Sequence, residues 1–117
     1  MAVSWEDLRR FLLPVDGVEE GTSYGTPAFR VRRKLLARLR EDGETLVVTQ
    51  VEDIEKEMLI QTQPDVYYIT DHYRGYPAVL VRLSKADRAE LCALLEQSWQ
   101  RLAPVRRQRR AAGKPPA

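Results

Sequence analysis

Gly21-Thr22-Ser23-Tyr24-Gly25 spells the Gly-x-Ser-x-Gly pattern of a hydrolase nucleophile elbow. In that device a serine sits on a strained strand-to-helix turn and is activated by a histidine. Context argues against it here. The segment leads into a strand-like run, 117 residues leave little room for the large parallel sheet, and His72 is the only candidate base. Glu19-Glu20 are adjacent in a loop-like stretch, where two carboxylates rarely converge on one substrate, and read better as solvated side chains. Cys92 has no base at a useful spacing and reads as a small core residue. Asp71-His72 offers two metal ligands where three or four are needed. The expectation is a non-enzyme with no catalytic residue, no cofactor and no metal.

The basic residues carry the one signal worth developing. Arg30, Arg32, Arg33, Lys34, Arg38 and Arg40 fall within eleven positions that hold no acid. Most have the parity opposite the apolar set of two neighbouring strands, and Arg82 on a later strand lies opposite Val79, Val81 and Leu83. Such a face suits phosphate contacts, although a charged, solvated sheet face is the plainer alternative. In His72-Tyr73-Arg74-Gly75-Tyr76, aromatics interleave with a cation at a hairpin tip, a pattern able to stack on a base or to fold back over the sheet edge. Arg106-Arg107-Gln108-Arg109-Arg110 reads as a polybasic arm that adds non-specific affinity for phosphate polymers, or simply as a solubilising end.

The elements that must position these residues are legible in part. Ser4 with Asp7 makes a capping box for a first helix that buries Trp5, Leu8, Phe11 and Leu12 and ends at Pro14 and Gly17. Residues 16–27 read as a loop with one short strand near Thr22 to Tyr24. Phe29 and Val31 alternate with Arg30 and Arg32. After a turn at Arg32 to Lys34, Leu35, Ala37 and Leu39 point one way, and Lys34, Leu36, Arg38 and Arg40 the other. Glu41-Asp42-Gly43 is a hairpin turn signal leading to a strand over Thr45 to Gln50. Val51, Ile54 and Met58 take a helical period, with Glu52 placed to pair with Lys56. Strands follow over Val66 to Thr70 and Ala78 to Leu83. A second box, Ser84 with Asp87, opens a helix from about Lys85 to Leu102 whose buried stripe is Leu91, Leu94, Leu95, Trp99 and Leu102. Segregated strands and helices predict an α+β fold, a two-layer sandwich of an antiparallel sheet with helices on one face. One domain over residues 1–104 and a basic, disordered tail over 105–117 are expected.

Composition bounds the rest. Hydrophobic residues make up 44% and charged residues 31% of the chain, enough for a real core. The net charge of +2 hides an asymmetry: six basic residues and no acid follow position 100, while the first hundred residues carry thirteen basic against seventeen acidic. One cysteine excludes an internal disulfide framework. No apolar run approaches the ~20 residues needed to span a bilayer, and no targeting segment is evident, so a cytoplasmic location without membrane contact is expected.

The run Gly21 to Val31, with its Tyr-Gly-Thr-Pro-Ala-Phe core, followed by Lys34-Leu35-Leu36-Ala37, resembles the signature of the MmcQ/YjbR family. Pro64-Asp65-Val66-Tyr67-Tyr68, Tyr73-Arg74-Gly75-Tyr76-Pro77 and Ser98-Trp99 are similar to it as well, so the resemblance covers about Trp5 to Pro104. It implies a CyaY/frataxin-like α+β fold and DNA binding through two hairpin wings, with no catalytic residues to carry over. Arg33 stands where many relatives have glycine, Ala78 where tryptophan is frequent, and Trp99 where tyrosine is usual. Iron binding does not follow, since the first helix offers only Glu6 and Asp7 with Arg9 and Arg10 close behind. The reading is a DNA-binding protein contacting phosphate through Arg30, Arg32, Arg33, Lys34, Arg38, Arg40 and Arg82, with Tyr73, Arg74 and Tyr76 at the second tip. A protein-interaction module and a small-ligand binder with a pocket near Tyr24 and Pro27 are the alternatives.

Overall fold

The computed structural model describes residues 2–103; the polybasic tail lies outside them. The first helix, α1 (Trp5–Leu12), begins where the sequence places it. The Ser4 hydroxyl accepts from the Asp7 backbone N–H, and the Asp7 carboxylate accepts from the Ser4 N–H, each at 3.1 Å. Two otherwise unpaired backbone donors are satisfied reciprocally. Six strands follow: β1 (Val18–Ser23), β2 (Thr26–Val31), β3 (Lys34–Leu39), β4 (Thr45–Thr49), β5 (Tyr67–Tyr68) and β6 (Ala78–Arg82). They form one antiparallel sheet in the order β1-β2-β3-β4-β6-β5. Helix α2 (Asp53–Thr62) links β4 to β5, and α3 (Arg88–Leu102) closes the domain. The α+β sandwich is therefore the observed fold.

The main core lies between one sheet face and the helices. Phe29, Val31, Leu46, Val48, Val79 and Val81 from the sheet meet Leu8 and Leu12 of α1 and the full predicted stripe of α3. Trp5 stacks on Phe29 with ring centres 4.5 Å apart, and its indole N–H donates to Glu20 Oε2 at 2.9 Å. The opposite face carries only a small cluster of Val47, Ala78 and Leu80, with Tyr68 and Tyr73 against it.

Several local expectations change, and the strand expected over Val66 to Thr70 shortens to Tyr67–Tyr68. Residues 18–23 form a full strand, because β1 takes its ladder from β2 despite a sequence poor in β-formers. Glu20 is exposed as expected, but its carboxylate is held by Trp5 and Arg9. Helix α3 starts at Arg88 with Asp87 as its cap, and Ser84 lies in a preceding 3-10 turn (Leu83–Lys85), bonded to Glu44 instead. Helix α2 inverts the expected face: Ile54 is 80% and Met58 56% exposed, while Lys56 is 6% exposed. Lys56 reaches Asp53 at 3.7 Å, and Glu52 faces Arg101 at 3.8 Å.

The register between β2 and β3 shifts at Phe29/Arg30, where Phe29 pairs with Ala37 and Arg30 with Leu35. Leu36 is the extra residue of a β-bulge, so Leu36 and Ala37 both enter the core. Strict alternation predicted Leu36 on the opposite face from Ala37, and the bulge overrides it. A bulge disrupts the local ladder, and the Thr49 hydroxyl lies 2.7 Å from the Leu35 carbonyl and 3.1 Å from that of Leu36, donating to this pair.

Thr49→Val keeps the side-chain shape and removes that donor, so it should lower unfolding free energy in urea by roughly 1–2 kcal/mol. Hydrogen bonds from the Trp5 indole and from Arg9 hold the Glu20 carboxyl below its usual range. Its stabilising contribution is therefore complete above the unfolded-state value and lost as pH falls through the folded one. Thermal midpoints of Glu20→Gln should show a flatter decline than wild type below about pH 4.

Candidate nucleic-acid interface

Two tight turns frame the open side of the sheet. Tyr24-Gly25 joins β1 to β2 with φ of 54° and 81°, and Arg32-Arg33 joins β2 to β3 with φ of 54° and 71°. Positive φ at both central residues makes these type I′ hairpin turns, for which Asn-Gly is the favoured sequence. Two arginines in that position each accept a left-handed conformation that costs an L-residue about 1–2 kcal/mol.

Between the turns and the loop that follows β5 lies a groove of 860 Å³. Leu35, Val47, Thr49 and Ala78 contribute to its lining from the sheet, Tyr24 and Lys34 from the hairpins, and His72, Tyr73 and Tyr76 from the loop. Arg38 and Glu41 also line it. A smaller cavity of 390 Å³ on the helical side is walled by Phe11, Leu12, Val15 and Trp99 with the carboxylates of Asp16 and Glu96, the wrong sign for phosphate.

The cations divide by partner. Arg30 donates to the Thr22 carbonyl at 2.8 Å. Arg38 is buried and donates to Thr26 Oγ1 at 3.1 Å, lies 3.9 Å from Glu41, and has its guanidinium 5.2 Å from the centre of the Tyr24 ring. Arg40 lies 6.0 Å over Tyr73. Arg82, at the far side of the sheet, stacks 4.1 Å over Tyr68 and reaches the carbonyls of Pro64 and Asp65 at 3.3 and 3.2 Å. Arg74 pairs with Asp71 at 2.7 Å. Arg32, Arg33 and Lys34 are exposed together at the β2–β3 tip. Of the ten residues that the sequence reading nominates, Lys34, Arg38, Tyr73 and Tyr76 line the groove, and Arg40 borders it through Tyr73. Arg30 and Arg82 support local backbone instead.

Both tips of the groove are tied from below. Arg38 donates to Thr26, whose hydroxyl donates to the Ser23 carbonyl at 2.9 Å beside the Tyr24 turn. The buried Lys56 ammonium donates to the Tyr76 carbonyl at 2.8 Å, and the Val51 N–H donates to the Pro77 carbonyl at 3.1 Å. Sequence reasoning missed Lys56. A lysine flanked by Ile54 and Met58 at helical spacing looks like an exposed charge, and only the loop it anchors, twenty residues on, accounts for its burial. Burial pushes the Cys92 thiol up, away from reactivity. Ser23, in the elbow-like motif, ends a strand of a β-hairpin, not a strand-to-helix turn. Among the described residues no group of three or more His, Cys, Asp or Glu could hold a metal, and no helix is long and apolar enough to cross a membrane.

The YjbR family model matches residues 13–101, a span that contains the sheet, both turns and the groove. The chain belongs to the YjbR family. Uncharacterised proteins of Mycobacterium tuberculosis and Mycobacterium bovis are 31% identical to it over 118 aligned positions, covering 86% of this chain and 89% of theirs. A crystal structure of a Deinococcus radiodurans protein with a DUF419 domain superposes with a TM-score of 0.76 at 21% identity, over 96% of this chain and 89% of that one. That likeness establishes the shared fold.

Arg33→Gly relieves one left-handed side chain in this YjbR domain. It should raise stability by about 1 kcal/mol, read as a higher urea midpoint with an unchanged slope.

Proposed function

We propose that this protein is a cytoplasmic, non-enzymatic DNA-binding member of the YjbR family that contacts phosphate through the β2–β3 tip and the Asp71–Pro77 loop. One observation carries the reading: the basic tip and the aromatic tip, separated by some forty residues of sequence, meet at one groove on the sheet face that the helices leave bare. Arg32, Arg33 and Lys34 present three charges side by side from a short hairpin, so their spacing is set by the backbone rather than by flexible linkers. Phosphate contacts of this kind position a protein on DNA and make its affinity depend on salt. The protein-partner alternative has Ile54 and Met58 on α2 in its favour, a pair of side chains that is small against the patches of several hundred Å² that mark interfaces.

The test is a salt titration of duplex DNA binding by the full chain. Arg32→Gln, Arg33→Gln and Lys34→Gln together should flatten the slope of log affinity against log salt by about 2.7 units, at ~0.9 per phosphate contact. Folding stability should change little, since exposed charges contribute little to it. Removal of residues 106–117 should weaken binding to all sequences alike. If tail removal abolishes binding and the triple variant matches wild type, the sheet face is an ordinary solvated surface.

A further inference from the structure

We infer that the groove selects unpaired DNA, holding bases against Tyr24 and Tyr76 while the strand's phosphates run past the β2–β3 tip. The inference rests on the DNA-binding reading of the same face and specifies the form of nucleic acid it takes. A B-form duplex presents phosphates and base edges, and its base faces are already stacked on one another. A site that meets phosphates alone has no use for an apolar floor or for exposed rings. This groove has both. Val47 and Ala78 are buried in its floor, and Tyr24 and Tyr76 are 85% and 57% exposed, the only aromatic side chains among the exposed large hydrophobics of the described residues.

The tyrosines are presented rather than merely left outside. Tyr24 occupies a left-handed backbone position at the tip of its turn, with the Arg38 guanidinium near its ring. At 85% exposure the ring still has a free face for a base. The Tyr76 backbone is fixed by the buried Lys56 ammonium, and the His72 ring lies 6.5 Å from the Tyr76 ring. With the backbone set by the turn at Tyr24 and by Lys56 at Tyr76, only side-chain torsions remain to be ordered when a base stacks on either ring. Charge matches as well. Arg38 and Glu41 pair with each other in the groove lining, which leaves Lys34 as the net charge there, with Arg32 and Arg33 next to it at the same tip. Exposed rings at the edges of a groove with cations beside it are the arrangement by which proteins hold single strands, where stacking is tolerant of sequence because every base has a flat face.

Fluorescence anisotropy of the full chain decides it, with three labelled probes of equal length: an oligo-dT strand, an abasic strand with the same phosphates, and a duplex. Oligo-dT should bind at least about tenfold more tightly than the abasic strand and than the duplex. Tyr24→Ala and Tyr76→Ala should each lower oligo-dT affinity by about tenfold and leave the other two probes unchanged. Tyr24→Phe, which keeps the ring, should restore oligo-dT binding. Unchanged thermal midpoints for both alanine variants, at exposed positions, keep folding out of the comparison. Equal binding of all three probes, or tyrosine variants that weaken all three alike, would overturn the selection for unpaired strands and leave the DNA-binding reading standing. Failure of the chain to bind any probe would overturn both.

Discussion

The β-bulge in β3 is the constraint on which the open face depends. The extra residue at Leu36 puts two consecutive apolar side chains, Leu36 and Ala37, into the core. From that point Arg38 pairs with Ala28 on the side away from the helices, beside the turn that carries Tyr24. Without the extra residue, Leu36 and Arg38 would share a face, and the sheet would have to turn a guanidinium into the apolar core or a leucine onto the open side. Bulges re-aim side chains at little cost when the freed backbone groups find partners. Here the Thr49 hydroxyl from the next strand supplies the partner.

The arginines show how a charge count misleads until partners are known. Arg30, Arg82 and Arg101 each donate to a backbone carbonyl, and Arg38 is drawn into a chain of hydroxyl and carbonyl acceptors. A guanidinium with several acceptors in a fixed fork is structural as much as electrostatic. The cations at the β2–β3 tip differ in kind. Arg32 and Arg33 stand on a turn whose geometry disfavours their side chains, and among the described residues no folding contact accounts for having them there.

Legibility followed the distance over which each feature is determined. The capping box of α1 and the stripe Leu91, Leu94, Leu95, Trp99 and Leu102 were readable because each is settled within one or two helical turns. The pairing of β2, β3 and β4 followed from alternation and turn residues. Strand β1 was readable only as a fragment, since Val18-Glu19-Glu20-Gly21-Thr22-Ser23 has no apolar period and depends on β2 for its ladder. The face of α2 was misread because burial of Lys56 depends on a carbonyl twenty residues away. The groove itself could not be read from sequence. Its parts were visible as separate tips, but their convergence requires the crossover that places β6 beside β4.

The strand order leaves β1 as an outer strand six residues long, with Glu19, Glu20, Gly21 and Thr22 all exposed. A free edge of this length is a template for adding another strand and so for runaway association. Glu20 is tied to Trp5 and Arg9, but Glu19 on the other face has no such partner among the described residues, and two copies pairing with Glu19 opposite Glu19 would set like charges against each other. The glycine next to Glu20 supplies no side chain to pack against a newcomer. Glu19, weighed above for acid–base chemistry, thus has a colloidal consequence, opposing polymerisation along a border of the sheet that no described strand covers.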